Sequence, residues 1–252
     1  MAVTRTPLLL TVYAPALKDD DGRPVATVHA MEHALPGLRL GWTISDEGQF
    51  IPLPQRDAWV AQGKSDGGFP LLCNADENCL ITLTGYGNSA RLSPGRQALL
   101  DIHADWPLEV GGLSAAEEVL VGIAQGAQAF WGEVTPDAAA GDIADQTCDP
   151  VRKPVVPPRG LPALKLFDDI RSPEIPYYLG WLNYWSAASA RILGFPDPAR
   201  DADLLTRSRR TATGGWVVRL TEAPLDLDNP SHLDAFMRAY QRFPEIGGRA
   251  SP

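Results

Sequence analysis

The sharpest chemical signal in the sequence is His29-Ala-Met-Glu-His33. It fits the inverted zincin pattern, in which two histidines one helical turn apart share a zinc ion and the glutamate polarises the metal-bound water. Such a centre needs a third ligand, and Glu117 or Glu118 is the convenient offer. A five-residue pattern of this kind arises easily by chance, and Ala30, Met31 and Ala34 around it suit simple amphipathic packing. The expectation is therefore no enzyme, with no metal, no cofactor and no catalytic residue. A zinc-dependent hydrolase built on His29, Glu32 and His33 stands as the alternative.

Other reactive types fall into weaker patterns. Cys73 and Cys79 lie too far apart for a zinc finger and have no second pair, and Cys148 stands in a polar stretch, so all three read as structural. Gly85-Tyr-Gly-Asn88 has two glycines but not the rest of a phosphate-binding loop, and neither a nucleophile elbow nor a dinucleotide fingerprint is present. Aspartates gather at Asp19-Asp20-Asp21, at Asp137, Asp142, Asp145 and Asp149, and at Asp197, Asp201 and Asp203. Paired carboxylates serve two-metal hydrolysis only when rigid elements place them, and these lie in expected loops. They read as solvated surface, and Asp197, Asp201, Asp203, Asp142 and Asp145 are the candidates for contact with a partner.

Charge narrows the partner. The chain of 252 residues has a formal net charge of −9. That excludes sequence-independent nucleic-acid binding, which needs a basic surface, and suits a basic protein. No apolar run approaches the ~18 residues of a membrane-spanning helix. The short apolar run from Leu8 to Val12 reads as a first strand rather than an export signal, which places reduced thiols in the cytoplasm.

The elements that would position these residues mix strands and helices. Helices are expected over Pro24–Leu35, Gln55–Gln62, Ala115–Trp131, Ser186–Leu193 and Pro230–Phe243, the last capped by Asn229. Strands are expected at 8–14, 38–44, 79–85, 97–104, 180–184, 204–210 and 216–221, with a turn at Tyr86–Ser89. Without regular βαβ alternation, the class is α+β: mostly antiparallel sheets flanked by helices, in an order that also allows two similar lobes. The expected division is an N-terminal lobe at 1–134, a Pro/Asp-rich connection at 135–176 and a C-terminal lobe at 177–252.

The C-terminal third concentrates large rigid side chains: Tyr177, Tyr178, Trp181, Tyr184, Trp185 and Trp216. Trp181 or Trp185, and Trp216, are expected in the core. Gly180-Trp-Leu-Asn-Tyr184, Leu193-Gly194, Gly214-Gly215 running to Thr221-Glu-Ala-Pro224, and the closing helix followed by Pro244 to Arg249 resemble a group of bacterial immunity proteins. Gly132 fits the same pattern. The group includes the type VI secretion immunity family and the immunity family paired with restriction-endonuclease-like toxins. The resemblance implies a cytoplasmic, non-enzymatic protein that binds and neutralises a cognate toxin, nucleases being among such toxins. A structural component of a secretion or surface complex is the further alternative.

Overall fold

Alternation of apolar residues on β1 (Pro7–Pro15) and β6 (Leu99–Pro107) builds the first core. In the computed structural model, which describes residues 5–63, 67–147 and 156–250, the two strands pair antiparallel along their whole length. Leu8, Leu10, Val12 and Ala14 lie across from Trp106, Ala104, Ile102 and Leu100, and all eight are buried. This is one face of a pleat, where side chains two apart share a side.

The chain divides into two compact units, 1–88 with 98–129, and 89–97 with 130–252. The first holds β1, α1 (Arg23–Ala34), β2 (Trp42–Ile44), β3 (Phe50–Pro52), α2 (Arg56–Ala61), β4 (Phe69–Cys73), β5 (Thr82–Asn88), β6 and α3 (Gly112–Gly126). Its strands lie in the order β3-β2-β4-β5-β6-β1, every pair antiparallel. Helices α1 and α3 pack closely because α3 presents glycines: a Cβ on Gly122 would stand 3.1 Å from the Ala30 Cβ, and one on Gly126 3.2 Å from the Thr27 nitrogen.

The second unit holds β7 (Trp131–Pro136), α4 (Asp137–Ala144), β8 (Leu182–Trp185), α5 (Ala187–Ile192), α6 (Ala202–Thr206), β9 (Ser208–Arg210), β10 (Trp216–Arg219) and α7 (Pro230–Arg242). Its strands run β7-β8-β10-β9, again antiparallel. Trp131 and Trp216 both sit opposite Trp185 in the register, so three tryptophans form one cross-strand row. Phe195 and Phe243 meet Trp185 at 5.2 and 5.0 Å between ring centroids, and Phe195 meets Trp216 at 5.3 Å, all near edge-to-face. Trp181 and Trp185 are buried as expected, whereas Trp216 is half-buried near the end of the sheet.

The α+β class with antiparallel sheets is thus what the chain adopts, but several elements differ from expectation. The expected helix to Trp131 stops at Gly126; Gln128 has a positive φ of 56°, and Trp131–Pro136 continues as a strand. Helix α3 starts at Gly112 rather than at the expected Ala115, behind Gly111 in the left-handed conformation. Tyr86 to Asn88 extend β5 instead of turning. Of the strand expected at 204–210, only Ser208–Arg210 forms; Leu204 to Thr206 belong to the helix Ala202–Thr206. Asp137–Ala144, expected as connection, is α4. The Pro-rich stretch after it is pinned where described: Leu164 donates its N–H to the Gln146 carbonyl, and Lys165 to that of Gly247. Cys148 and Asp149 lie outside the described residues.

Candidate functional site

The histidine motif lies on α1 as expected, but its glutamate is committed elsewhere. Glu32 Oε1 accepts the Leu40 N–H at 2.8 Å and also a bond from Arg56, whose side chain is only 2 % exposed. A carboxylate that neutralises a buried guanidinium is a structural anion, and freeing it would strand that charge. His29 and His33 are exposed, and His29 Nε2 stands 3.0 Å from Asp57 Oδ2. Among the described residues no three His, Cys, Asp or Glu side chains are grouped to hold a metal ion.

The five partner-contact candidates separate into two kinds, all in the second unit. Asp201 is fully buried and grips Arg242, with Oδ1 to Nε at 2.5 Å and Oδ2 to Nη2 at 2.9 Å. Its Oδ2 also accepts the Asp197 N–H at 2.7 Å, so both oxygens are used within the chain. Asp142 is tied to Arg159, which also reaches Asp228 at 2.7 Å; these two carboxylates, Asp142 first, push the guanidinium's pKa up. Asp197 is half-buried and accepts the Ala199 N–H at 3.0 Å, an Asx-type turn. Asp203 and Asp145 are exposed, and hydrogen bonding from Arg207 holds the Asp203 carboxyl below its usual pKa. The structure does not bring the five together.

The sequence motif of the C-terminal third resolves into a buried polar knot. Asn183 closes on Gly180 from both sides, accepting its N–H at 3.0 Å and donating to its carbonyl at 2.9 Å. A Cβ on Gly180 would stand 2.1 Å from Glu133 Oε2 and 2.6 Å from Thr135 Oγ1, so only glycine leaves room for that buried carboxyl and its Thr135 partner. Beside it, the Tyr240 hydroxyl accepts from Leu179 N–H and from Gln146 Nε2, both at 3.1 Å, and burial pushes the phenol up to about 12. Gly180 and Asn183 are therefore architecture: they satisfy polar groups that burial would otherwise penalise.

A surface that the motifs did not reveal lies on the first unit. Asp101-Ile-His-Ala-Asp105 alternates along β6, so its three polar residues share the face opposite the Leu100–Trp106 core row. The register sets Asp101 between Tyr86 and Tyr13, His103 between Thr84 and Thr11, and Asp105 between Thr82 and Leu9. His103 Nε2 lies 3.1 Å from Asp101 Oδ1, and the Tyr86 ring meets the imidazole edge-on at 5.6 Å. Tyr86 is 47 % exposed. A His–Asp pair would orient a general base, but the Thr82 hydroxyl donates to Asp105 at 3.0 Å and that of Thr84 to the Phe69 carbonyl at 3.4 Å. The arrangement offers an exposed aromatic among carboxylates, which suits recognition better than nucleophilic catalysis. Asp76 and Glu77, in the turn leading into β5, and Glu109, just beyond β6, are exposed at the Asp105 end of the strands.

Charge is unevenly divided. The first unit has six Lys and Arg against fifteen Asp and Glu, and the second has sixteen of each. The formal −9 therefore belongs wholly to the first unit. Among its described residues, Arg23, Arg39 and Arg56 turn to Asp21, Glu32 and Asp57.

No helix among the described residues is long and apolar enough to cross a membrane. No curated protein matches the chain. Its fold is similar to that of a solved Pseudomonas aeruginosa T6SS protein, PA0821, with a TM-score of 0.55 at 14% sequence identity, over 94% of this chain and 74% of that one. At that identity the likeness speaks for the fold alone. Over residues 19–251 the sequence matches the family described as Domain of unknown function (DUF5953), and the chain belongs to that family.

Proposed function

We propose that this protein is an immunity protein associated with type VI secretion, which binds a cognate toxin in the producing cell's cytoplasm and keeps it inactive without catalysing a reaction. The observation that carries this reading is the division of charge: one unit holds the whole negative charge and exposes Tyr86 beside His103 and across from Asp101. A basic toxin, such as a nuclease, would be drawn to that surface, since complementary charge raises association rates and orients the encounter. The fold likeness to a T6SS protein supports the same context. Asp203 and Asp145 are exposed and can serve as peripheral contacts, Asp203 while paired with Arg207; Asp201 and Asp142 are engaged with Arg242 and Arg159. The zinc-hydrolase alternative would need Glu32 as its base, and Glu32 is engaged by Arg56 and Leu40.

Co-expression with each toxin encoded beside this gene tests the reading. Rescue of growth together with a complex that survives purification is the expected outcome. A complex without rescue would instead favour a structural component of the secretion machinery. Absence of both rescue and complex would remove the immunity reading.

A further inference from the structure

The stretch that reads in sequence as an acidic rim, Asp197 to Asp203, borders a groove of the opposite character. A cavity of about 330 Å³ is lined by Arg200, Arg207, Arg238 and Arg242, with Asp203 the lone carboxylate among its lining residues. The arginines come from the loop ahead of α6, the residue after it, and α7. The floor includes Leu204, Leu220 and Ala239. A volume of this size falls at the lower end of the ~300–1,000 Å³ typical of small-molecule sites, which pair apolar walls with a few placed polar groups.

The carboxylates behind these guanidiniums are of two kinds. Arg242 is gripped by the buried Asp201 and donates to the Gly194 carbonyl at 2.9 Å, so it is fixed. Arg207 is held by Asp203 and Arg238 by Asp234, both four residues apart, and these aspartate side chains are 80 % and 65 % exposed. The Arg238–Asp234 pair is open to water on both sides and contributes little, while Arg207 is only 15 % exposed and its pair meets water through Asp203. A ligand anion can therefore displace them at small cost. Several guanidiniums converging from different segments suit an anion with three acceptor oxygens better than a planar carboxylate with two.

We propose that this groove binds a small organic phosphate. Its phosphoryl oxygens replace Asp203 and Asp234 on Arg207 and Arg238 and engage Arg200, and its organic part lies on Leu204 and Leu220. The site is independent of any toxin.

Titration calorimetry on the full chain, with inorganic pyrophosphate and ATP as probes at about 0.15 M salt, tests it. Saturable 1:1 binding is expected, weakened roughly tenfold or more in an Arg200→Ala/Arg238→Ala variant, since each charge-assisted bond lost is of that order. Both residues are exposed, so the variant should fold, and an unchanged melting transition verifies it. The sharper arm is Asp203→Asn: removing the competing carboxylate should tighten binding several-fold, the reverse of what loss of a structural residue would do. Absence of saturable binding to either probe overturns the proposal. So does binding indifferent to these substitutions, or preferential binding of a hexaglutamate peptide, which would mark an acidic-peptide groove. Binding of vesicles carrying phosphorylated headgroups but of neither soluble probe would also overturn it.

Discussion

The two units handle charge in opposite ways. In the second, acids and bases are equal in number, and arginines are spent on nearby aspartates: Asp201 with Arg242, Asp203 with Arg207, Asp142 and Asp228 with Arg159. In the first, Arg23 and Arg56 are engaged by Asp21, Glu32 and Asp57, and fifteen acids share only six Lys and Arg. A run of aspartates is thus a poor guide to an acidic surface. What matters is the count of cations that the fold delivers to it.

The contrast within the second unit can be broken most forcefully at Asp201. Replacing it by Ala leaves the Arg242 guanidinium, itself mostly buried, without its anion, and breaking such a pair costs ~3–5 kcal/mol. Asp203→Ala removes an exposed partner and should change stability by less than about 1 kcal/mol. Urea unfolding of both variants measures the gap. Equal effects would mean that burial does not separate these aspartates.

Gly180→Ala probes the buried polar knot around Asn183 and Glu133. The added methyl meets the Glu133 carboxyl and Thr135, and overpacking of this sort costs ~1–3 kcal/mol. Thermal melting should show a clear loss. A neutral result would mean that Gly180 is there for a contact rather than for packing.

In the first unit Asp21 is the anion whose effect is easiest to date by pH. Hydrogen bonds from the Arg23 side chain, only partly opposed by burial, lower its pKa from 3.8 to about 2. Arg23 in turn donates to the carbonyls of Pro15, Ala16 and Ala127, tying the end of β1 to the end of α3. Because the folded pKa is depressed, the stabilisation is fully present above about pH 4 and disappears as pH falls toward 2. The shift corresponds to about 2 kcal/mol. Asp21→Asn should therefore lower stability by about that much at neutral pH, and the two proteins should converge near pH 2. A constant difference down to that pH would place the role of Asp21 in packing rather than charge.

How much of this was legible in the sequence depends on which interaction decides it. The cap of Asn229 is local, and its side chain accepts a backbone N–H as the sequence suggests; Ser186, read there as the first helical residue, also caps its helix. Trp131 is a different matter. It reads as the end of a helix, yet its place is set by Trp185 more than fifty residues away, and such cross-strand pairing leaves little local trace. Trp216 shows the same limit: strand periodicity places it, but not how completely Phe195 covers it. The Tyr86 face was missed because Tyr86-Gly-Asn-Ser has turn composition, although the alternation of Asp101, His103 and Asp105 was in plain view. Around Asp197, Asp201 and Asp203, counting one sign of charge leaves out Arg200, Arg207, Arg209 and Arg210, which stand beside them in the sequence.

The smallest effect expected is also the one that tests whether the units differ in function. If a basic toxin is recognised through the first unit, its long-range attraction comes from carboxylates there. Neutralising Asp76, Glu77, Asp105 and Glu109 to the amides removes four of that unit's nine excess negative charges. Association with the cognate toxin at low salt should slow by about tenfold, and its salt dependence should flatten. Asp197 and Asp203 lie in the balanced unit, and their amide variants should leave the rate within about twofold. Dissociation should respond instead to Tyr86→Ala, because an exposed aromatic acts once the partner is seated. Stopped-flow association of purified partners gives these rates. If the second-unit pair slows association as much as the first-unit set, the charge division does not direct the encounter, and the recognition surface has to be sought beside α6.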